Sequence, residues 1–403
     1  MNPIRYWLED ARRKPDTQHV DTCDGVRAAA VLLVGWFHIW QQSWLYPEIH
    51  LFGQAISLDP IVRSGYIWVD IMILVSGFCL YMPWAREMRE GADAPNTLDF
   101  YSRRLARVHP SYLLAVGVML AIAIAQGAYY TPAQAARDVL AHLTYTHTFF
   151  FETYYATKLG GALWTLAIEM QLYLLFPLLA RAFRRMPMAA FAGMVGLSLA
   201  FRAYVGAAFD DVGMYFNQLP AYLDVFACGM AAAAIHAELA TRRHGAITRL
   251  CCTAGTLLVI AALLHVARAQ AGCATTEQIR IGQMDRRLIM GMLGGSLLVL
   301  SANAGLILRR LLSNPVTRFV CAVSMQFYIW HQTLAVWILQ ARLVPSEYEN
   351  PNYSGDLLWQ RRYTFVCFAL ALALAAVLTY AFERPVARAW NARWKAWRSR
   401  ERM

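Results

Sequence analysis

The stretch VRAAAVLLVGWFHIWQQSW, residues 26–44, decides the class of fold. Its length matches the ~20 apolar residues that an α-helix needs to cross a bilayer core of ~30 Å. Two ionisable side chains, Arg27 and His38, lie in it eleven residues apart. Eleven steps of ~100° return close to the starting direction, so both side chains lie on one face, about 16 Å apart along the helix. The stretch therefore predicts a membrane-spanning helix with one polar stripe.

Nine further stretches of the chain are also apolar and long enough to cross a bilayer, and the overall composition is that of a membrane protein. Hydrophobic residues make up 58% of the chain and charged residues 16%, with a mean hydropathy of +0.35, which is too apolar for a water-soluble globule. The same figures exclude a disordered chain, a collagen and a small disulfide-bonded domain. The sequence predicts an all-α polytopic membrane protein with about ten transmembrane helices around a central polar chamber. The predicted spans are residues 26–44, 66–84, 111–127, 162–181, 187–205, 219–237, 247–267, 288–308, 319–341 and 363–382.

The distribution of positive charge predicts the orientation of these spans. With the amino terminus in the cytoplasm, 25 of the 37 Lys and Arg residues fall in cytoplasmic segments and 10 fall outside. The amphipathic segment 132–150 is predicted to be re-entrant or interfacial, because an eleventh span there would move Arg181, Arg184 and Arg185 to the outside. Both termini are then cytoplasmic. The predicted organisation is a cytoplasmic segment 1–25, a membrane domain 26–385 and a basic cytoplasmic tail 386–403.

Several other classes of site and partner are not indicated. The formal charge of +11 is explained by the membrane orientation, so we expect no nucleic-acid partner. The eight cysteines have no metal-ligand spacing, so we expect no metal site. Residues 1–25 lack the apolar run and cleavage site of a signal peptide.

Ionisable groups inside the predicted spans are the candidates for function, because charge is costly in a bilayer. A rise of ~1.5 Å per residue places His38, Glu169 and His331 at a common depth of about 16–18 Å from the cytoplasmic side. This common depth predicts a reaction chamber near the midplane. Its predicted polar neighbours are Ser76, Tyr173, Tyr328 and Gln332.

Each of these groups also has a structural interpretation. His331 suits a hydrogen bond between packed helices, and Glu169 suits an ion pair with an arginine such as Arg202. We assign His38 to chemistry because imidazole titrates near neutral pH and because Arg27 shares its face. Ion-pair or helix-positioning roles are expected for Asp70, Arg202 and Asp224.

A cluster of arginines precedes the third predicted span. Arg103, Arg104 and Arg107 are explained equally well as stop-transfer charges at the lipid head groups. Alternatively, Arg104 and Arg107, one helical turn apart, form a fork for an anionic nucleotide or pyrophosphate on the cytoplasmic face.

An ordered set of motifs along nearly the whole chain resembles the acyltransferase-3 family of bacterial membrane proteins. The motifs are DGVR at 24–27 with His38, WVD at 68–70 with LVSGF at 74–78, RRLARVHP at 103–110, LWTLAIEMQLY at 163–173, YIWH at 328–331 and FERP at 382–385.

The resemblance implies a ten-helix enzyme of the bacterial inner membrane. Such an enzyme moves an acyl group, commonly acetyl, from cytoplasmic acyl-CoA to a hydroxyl of a carbohydrate, a lipid-linked glycan or another acceptor. The family's functional positions correspond to Arg27, His38, Arg104 and Arg107. One departure is that the family often has two adjacent acids where this chain has Glu169 followed by Met170.

The sequence thus predicts an acyl-CoA-dependent O-acyltransferase in contact with membrane lipid. His38 is the general base or a transient acyl carrier, and Glu169 or His331 orients it. The alternatives from other classes are a proton-coupled transporter of a small anion or sugar and a non-catalytic assembly scaffold. Donor-binding candidates are Arg27, Arg103, Arg104, Arg107 and Ser76. Acceptor-side candidates are Asp70, Trp164, Tyr173, Tyr328 and Gln332.

Overall fold

The computed structural model describes residues 20–90, 95–240, 242, 245–273 and 275–401. Most of the predicted amino-terminal segment therefore lies outside the described residues, as do the last two residues of the predicted tail. The helices are α1 Asp21–Ser43, α2 Asp59–Arg63, α3 Val69–Glu90, α4 Thr97–Ala125, α5 Pro132–Leu143, α6 Phe151–Tyr154, α7 Trp164–Arg185, α8 Pro187–Ala208, α9 Gly213–Phe216, α10 Leu223–Leu239, α11 Ala246–Ala271, α12 Thr276–Ala302, α13 Leu306–Leu312, α14 Pro315–Gln340, α15 Leu357–Leu378 and α16 Arg384–Glu401. The strands β1 Glu48–Leu51 and β2 Gln54–Ser57 form one antiparallel hairpin.

The chain is an all-α polytopic membrane protein. Among the described residues, eight helical stretches are long and apolar enough to cross a membrane. The other two predicted spans, 288–308 and 319–341, overlap α12 and α14, which have 27 and 26 residues, and α12 ends at Ala302, before the predicted end of its span. Both helices are long enough to cross a bilayer core. They are less apolar because α12 carries a charged first half and α14 carries Gln326, His331 and Gln332.

Two helices begin well before the apolar stretch from which they were predicted. Helix α4 begins at Thr97, where the side chain of Asn96 accepts hydrogen bonds from the amides of Leu98 and Asp99. Helix α12 begins at Thr276, preceded by a capping box between Thr275 and Gln278. Capping, rather than the edge of the apolar stretch, sets these helix starts.

The segment 132–150 does not form a long helix. Helix α5 has 12 residues, so it extends about 18 Å and is too short to cross the core. A 3₁₀ turn at His147–Phe149 and the one-turn helix α6 follow it. The segment therefore provides no single helix for an eleventh span, and its re-entrant or interfacial position stays a prediction.

Small residues bring the central helices close together. A Cβ atom on Gly77 of α3 would lie 2.6 Å from the carbonyl oxygen of Phe226, and one on Gly229 of α10 would lie 2.1 Å from that of Leu74. On α1, a Cβ atom at Gly35 would overlap the ring of Phe327 on α14. These glycines therefore permit the close helix packing that is typical of membrane proteins.

The carboxy-terminal region is helical and is attached to α4. A π-helical turn at Thr379–Glu383 joins α15 to α16. On α16, the Trp394 Nε1 donates to Asp99 Oδ1 at 2.7 Å, and the Trp390 Nε1 donates to Ser102 Oγ at 3.1 Å. The predicted basic tail is thus a helix that packs on the first turns of α4.

Candidate active site

A cavity of about 410 Å³ opens at the predicted cytoplasmic end of the bundle, between α1, α3, α4, α14 and the π-helical turn. Its lining is strongly cationic, because five arginines face only two carboxylates, Asp24 and Glu383. Such a lining suits a ligand with several negative charges, since each guanidinium can form paired hydrogen bonds to a phosphate. We call this space the arginine cavity. Its arginines are Arg27, Arg104, Arg107, Arg318 and Arg384.

The structure separates the three clustered arginines of α4. Arg104 and Arg107 line the arginine cavity, as expected for residues one turn apart. Arg103 points to another side of the helix, where it lines a separate cavity with Trp394 and Arg398 of α16. The sequence prediction that Arg103 joins the other two at one site is therefore not supported by their positions.

Aromatic rings hold the Arg104 side chain in place. Its guanidinium carbon lies 5.6 Å from the ring centre of Phe100 and 5.7 Å from that of Tyr173. The buried Nε of Arg104 has no hydrogen-bond partner within the described part of the chain. The guanidinium is thus oriented by cation–π contacts, and a donor group remains for a ligand.

A narrower cavity of about 70 Å³ continues inward and contains Glu169. It shares Arg27, Ser76, Arg107 and Tyr173 with the arginine cavity. Ser76 donates to Glu169 Oε1 at 3.1 Å, and the Tyr173 hydroxyl donates to the same oxygen. Two hydroxyl donors from different helices thus hold one oxygen of the Glu169 side chain in place.

Glu169 does not pair with Arg202, which was its structural alternative. Arg202 donates to Asp224 Oδ2 at 2.6 Å, and both side chains are fully buried. Further hydrogen bonds join Arg202 to Ser198 Oγ and to two carbonyl oxygens. The ion-pair interpretation of Arg202 and Asp224 agrees with this geometry.

His38 and His331 lie side by side, with ring centroids 5.1 Å apart. The Nδ1 of His331 donates to the carbonyl oxygens of Tyr328 at 2.8 Å and Phe327 at 3.1 Å. Its Nε2 is buried and has no partner among the described residues. Because carbonyl oxygens only accept, the proton lies on Nδ1 and the Nε2 of His331 carries the lone pair.

Gln41 is a neighbour of His38 that the sequence analysis missed. Gln41 follows His38 by one helical turn on α1, and its Oε1 lies 3.0 Å from the Nδ1 of His38. This contact places the proton of the imidazole on Nδ1 and leaves Nε2 as the basic nitrogen. The i,i+3 spacing on a polar stripe was the available signal for this contact.

The histidine pair lies beyond the narrow cavity. Neither His38 nor His331 lines either of the two cavities. Tyr328 connects the two regions, since it lines the narrow cavity and its ring lies 5.5 Å from that of His331. Of the two predicted partners of His38, the structure places His331 beside it, whereas Glu169 lies in the narrow cavity.

The predicted acceptor-side residues do not form one group. Tyr173 and Tyr328 line the narrow cavity, and Trp164 packs near the ring of Tyr222 at 6.1 Å. The Oε1 of Gln332 is buried and has no partner within the described ranges. Asp70 belongs to a different, ionic cluster.

Asp70 is paired with two arginines of α12 that the sequence analysis assigned to an outer loop. Arg286 approaches Asp70 Oδ2 at 3.4 Å and Arg287 approaches Oδ1 at 3.6 Å, and all three side chains are buried. Arg287 also donates hydrogen bonds to the Oδ1 of Asn217 and the hydroxyl of Tyr222. Burial of charge requires such pairing, so Asp70 is better explained as an ion-pair residue than as an acceptor ligand.

Comparison with protein families agrees with this arrangement. A family model described as an acyltransferase domain matches residues 21–385. The chain belongs to the acyltransferase-3 family. Membership confirms the resemblance inferred from the ordered motifs.

Individual relatives are distant and are matched over part of their length. The chain is 28% identical over 165 residues to O-acetyltransferase OatA of Staphylococcus aureus (strain NCTC 8325 / PS 47), covering 38% of this chain and 24% of that protein. It is 27% identical over 180 residues to nodulation protein 10 of Rhizobium leguminosarum bv. viciae, covering 41% and 46%. It is 25% identical over 185 residues to regulator of hypoxia-inducible factor 1 of Caenorhabditis elegans, covering 42% and 35%. No solved structure matches the chain.

Proposed function

We propose that this membrane acyltransferase is an acyl-CoA-dependent O-acyltransferase of the bacterial inner membrane. It transfers an acyl group, most simply acetyl, to a hydroxyl of a carbohydrate or lipid-linked glycan. The observation that carries the proposal is the order of three adjoining regions: the arginine cavity shares its inner wall with the narrow cavity of Glu169, and Tyr328 of the narrow cavity packs beside His331 of the histidine pair.

The arginine cavity is the proposed site of the CoA phosphates. CoA carries a diphosphate and a ribose phosphate, and the cavity supplies five guanidinium groups against two carboxylates. Arg104 and Arg107 form the fork at its wall, and Arg27 lines both the arginine cavity and the narrow cavity. The ~16 Å between Arg27 and His38 along α1 is of the order of the length of the pantetheine arm.

Glu169 is proposed to act at the narrow cavity rather than on His38. Its carboxylate is held by Ser76 and Tyr173 and shares the cavity wall with Arg27. A fixed carboxylate there balances the charge of Arg27 and limits the width of the passage for the pantetheine arm. Ser76 and Tyr173 are therefore positioning residues for Glu169.

His38 is the proposed catalytic residue, and its Nε2 is the reacting atom. As a general base, Nε2 takes the proton of the acceptor hydroxyl while the hydroxyl oxygen attacks the thioester carbonyl. The carbon–sulfur bond then breaks, and the CoA thiolate receives the proton from His38. As a carrier, Nε2 instead attacks the carbonyl and displaces the CoA thiolate. The acceptor hydroxyl then attacks the acyl group on Nε2, the acyl–nitrogen bond breaks, and the hydroxyl proton passes to the thiolate.

The acceptor is proposed to approach from the side of the pair away from the arginine cavity. Buried polar atoms without partners in the described structure belong to residues that are close in sequence to the two histidines on α1 and α14. Sugar hydroxyls need such donors and acceptors, and tryptophan rings give them an apolar face to pack on. The atoms are Trp40 Nε1, Trp330 Nε1 and Gln332 Oε1.

The test of this function uses the purified protein in liposomes with acetyl-CoA and a glycan acceptor. We expect release of CoA in step with acetylation of the acceptor, and the same yield with and without a proton gradient. Uptake of solute driven by the gradient, with no release of CoA, would instead show a proton-coupled transporter. Neither release nor uptake, with the protein folded, would favour an assembly scaffold.

A further inference from the structure

Two cysteines from different helices meet in the wall of the arginine cavity. The Sγ atoms of Cys23 on α1 and Cys79 on α3 lie 3.8 Å apart, although the residues are 56 positions apart in sequence. Both side chains line the cavity. Cys23 is 4% exposed, whereas Cys79 is accessible from the cavity side. The two sulfurs are thus in van der Waals contact, and one of them can be reached by a small reagent.

Each cysteine of the pair lies one helical turn from a residue of the proposed donor site. Cys23 precedes Arg27 by one helical turn, and Cys79 follows Ser76 by one turn. Arg27 and Ser76 are also residues that the arginine cavity shares with the narrow cavity. A bond between the sulfurs would therefore form at the entrance to the passage that leads to His38.

The surroundings favour reaction with an anionic disulfide. The five arginines attract an anionic reagent, and the exposed sulfur of Cys79 is the one that such a reagent reaches first. Disulfides in the cytoplasm are usually transient or redox-sensing, so a pair at the predicted cytoplasmic end suits regulation rather than structure.

We propose that Cys23 and Cys79 form a modification site that closes the donor passage when it is oxidised. The co-reactant is an anionic low-molecular-weight disulfide of the oxidised-glutathione type. The Cys79 thiolate attacks one sulfur of that disulfide, which breaks the disulfide bond and releases one small thiol. The Cys23 sulfur then attacks the mixed disulfide, releases the second small thiol and forms the Cys23–Cys79 bond. Two protein thiols are oxidised and one small disulfide is reduced to two thiols.

Bond formation changes the wall of the cavity. A disulfide has an S–S distance of ~2.05 Å, so the sulfurs approach by roughly 1.8 Å. Helices α1 and α3 are already in close contact, so this movement falls on the side chains next to Arg27 and Ser76. We expect weaker binding of acyl-CoA to the oxidised form. This consequence rests on the proposed function, whereas the formation of the bond does not.

The first experiment detects the bond itself. Purified full-length protein is incubated with oxidised glutathione, and its peptides are mapped by mass spectrometry without reduction. We expect a peptide pair joined through Cys23 and Cys79 in the unmodified sequence and in Cys252→Ser, whose thiol lies on α11 outside the cavity. We expect it to be absent in Cys23→Ser and in Cys79→Ser. Absence of the joined pair in the unmodified sequence would overturn the proposal.

The second experiment measures the consequence by calorimetry with acetyl-CoA. We expect the affinity to fall at least tenfold on oxidation, to recover with dithiothreitol, and to be unaffected by oxidised glutathione in Cys79→Ser. A joined pair with unchanged affinity would refute closure of the passage. If the reduced protein binds no acetyl-CoA, the proposed function fails, while the peptide map still decides the modification site.

Discussion

His38 and His331 lie with ring centroids 5.1 Å apart, and each imidazole has an oxygen acceptor at its Nδ1. The acceptor of His38 is the side chain of Gln41, whereas those of His331 are backbone carbonyls of its own helix. Both rings therefore present Nε2 as the basic nitrogen. A side-chain acceptor can be removed by substitution without disturbing the backbone. Substitution of Gln41 therefore tests whether this hydrogen bond orients His38.

Replacing Gln41 should affect the chemical step and leave the donor site unchanged. We expect Gln41→Leu to lower kcat by roughly tenfold to a hundredfold, because His38 loses the contact that fixes its tautomer and orientation. The KM for acyl-CoA should stay within twofold, and Gln41→Glu, which retains an acceptor oxygen, should restore most of kcat. Steady-state kinetics of the purified variants measures both constants. An equal loss in the leucine and glutamate variants would refute the positioning role.

The arginines of α4 provide a matched comparison at the donor site. Arg104 and Arg107 line the arginine cavity, whereas Arg103 lines a separate one. We expect Arg104→Gln with Arg107→Gln to weaken acyl-CoA binding by roughly a hundredfold or more, since hydrogen bonds to charged groups contribute ~1.5–3 kcal/mol each. Arg103→Gln should stay within twofold. Calorimetry measures both affinities. If single variants at 103 and 104 change the acyl-CoA affinity equally, the cluster is better explained as stop-transfer charge.

The buried ion pair of Arg202 and Asp224 should matter for folding rather than for catalysis. Arg202→Met leaves the Asp224 carboxylate buried without its partner, which typically costs ~3–5 kcal/mol. We expect a marked fall in the thermal midpoint in detergent, and partial recovery in the double variant with Asp224→Leu. A double variant less stable than the single one would contradict this account of the pair.

The segment between α4 and α7 should give the protein a dependence of stability on pH. The rings of His142 and His147 are stacked 4.0 Å apart, and both are buried. Burial lowers the pKa of His147 well below its usual value of 6.5, and the neighbouring His142 lowers it further. His147 is therefore neutral in the folded protein at a pH where the unfolded chain binds a proton.

The sign of this dependence follows from proton linkage. The pKa of His147 is lower in the folded protein than in the unfolded chain, so its contribution to folding stability is complete above the unfolded pKa. The free energy of unfolding then decreases as the pH drops below about 6.5. The loss is at most ~1.4 kcal/mol per pH unit for one group. We expect the thermal midpoint to fall between pH 7 and 5, and His147→Phe, which keeps a ring for stacking, to reduce that slope. Equal slopes in the two proteins would show that another group is responsible.

Hydropathy and helical geometry predicted the all-α membrane fold, and the reaction path stays a prediction. The positions of the spans follow from apolar stretches, and the face shared by Arg27 and His38 follows from their spacing. Contacts between helices do not follow from spacing along one helix. The approach of Cys23 to Cys79 and the pairing of Asp70 with Arg286 therefore appear only in the three-dimensional structure.

The extent of α12 shows a different limit of the sequence analysis. The predicted spans 247–267 and 288–308 leave its first half, with Arg286 and Arg287, in an outer loop. Both arginines are buried beside Asp70, and Arg287 also donates hydrogen bonds to Asn217 and Tyr222. A hydropathy scale gives each charge its cost in lipid and cannot include a partner from another helix.

The central claim is that His38 performs the transfer at a site separate from the one that holds the donor. Its most direct test measures acyl transfer from acetyl-CoA by purified His38→Ala, with acetyl-CoA affinity determined on the same preparation. We predict an unchanged affinity and a loss of transfer of ~100-fold or more, as expected for removal of a general base or a nucleophile. Transfer within a few fold of the unmodified protein, at full donor binding, would contradict the account.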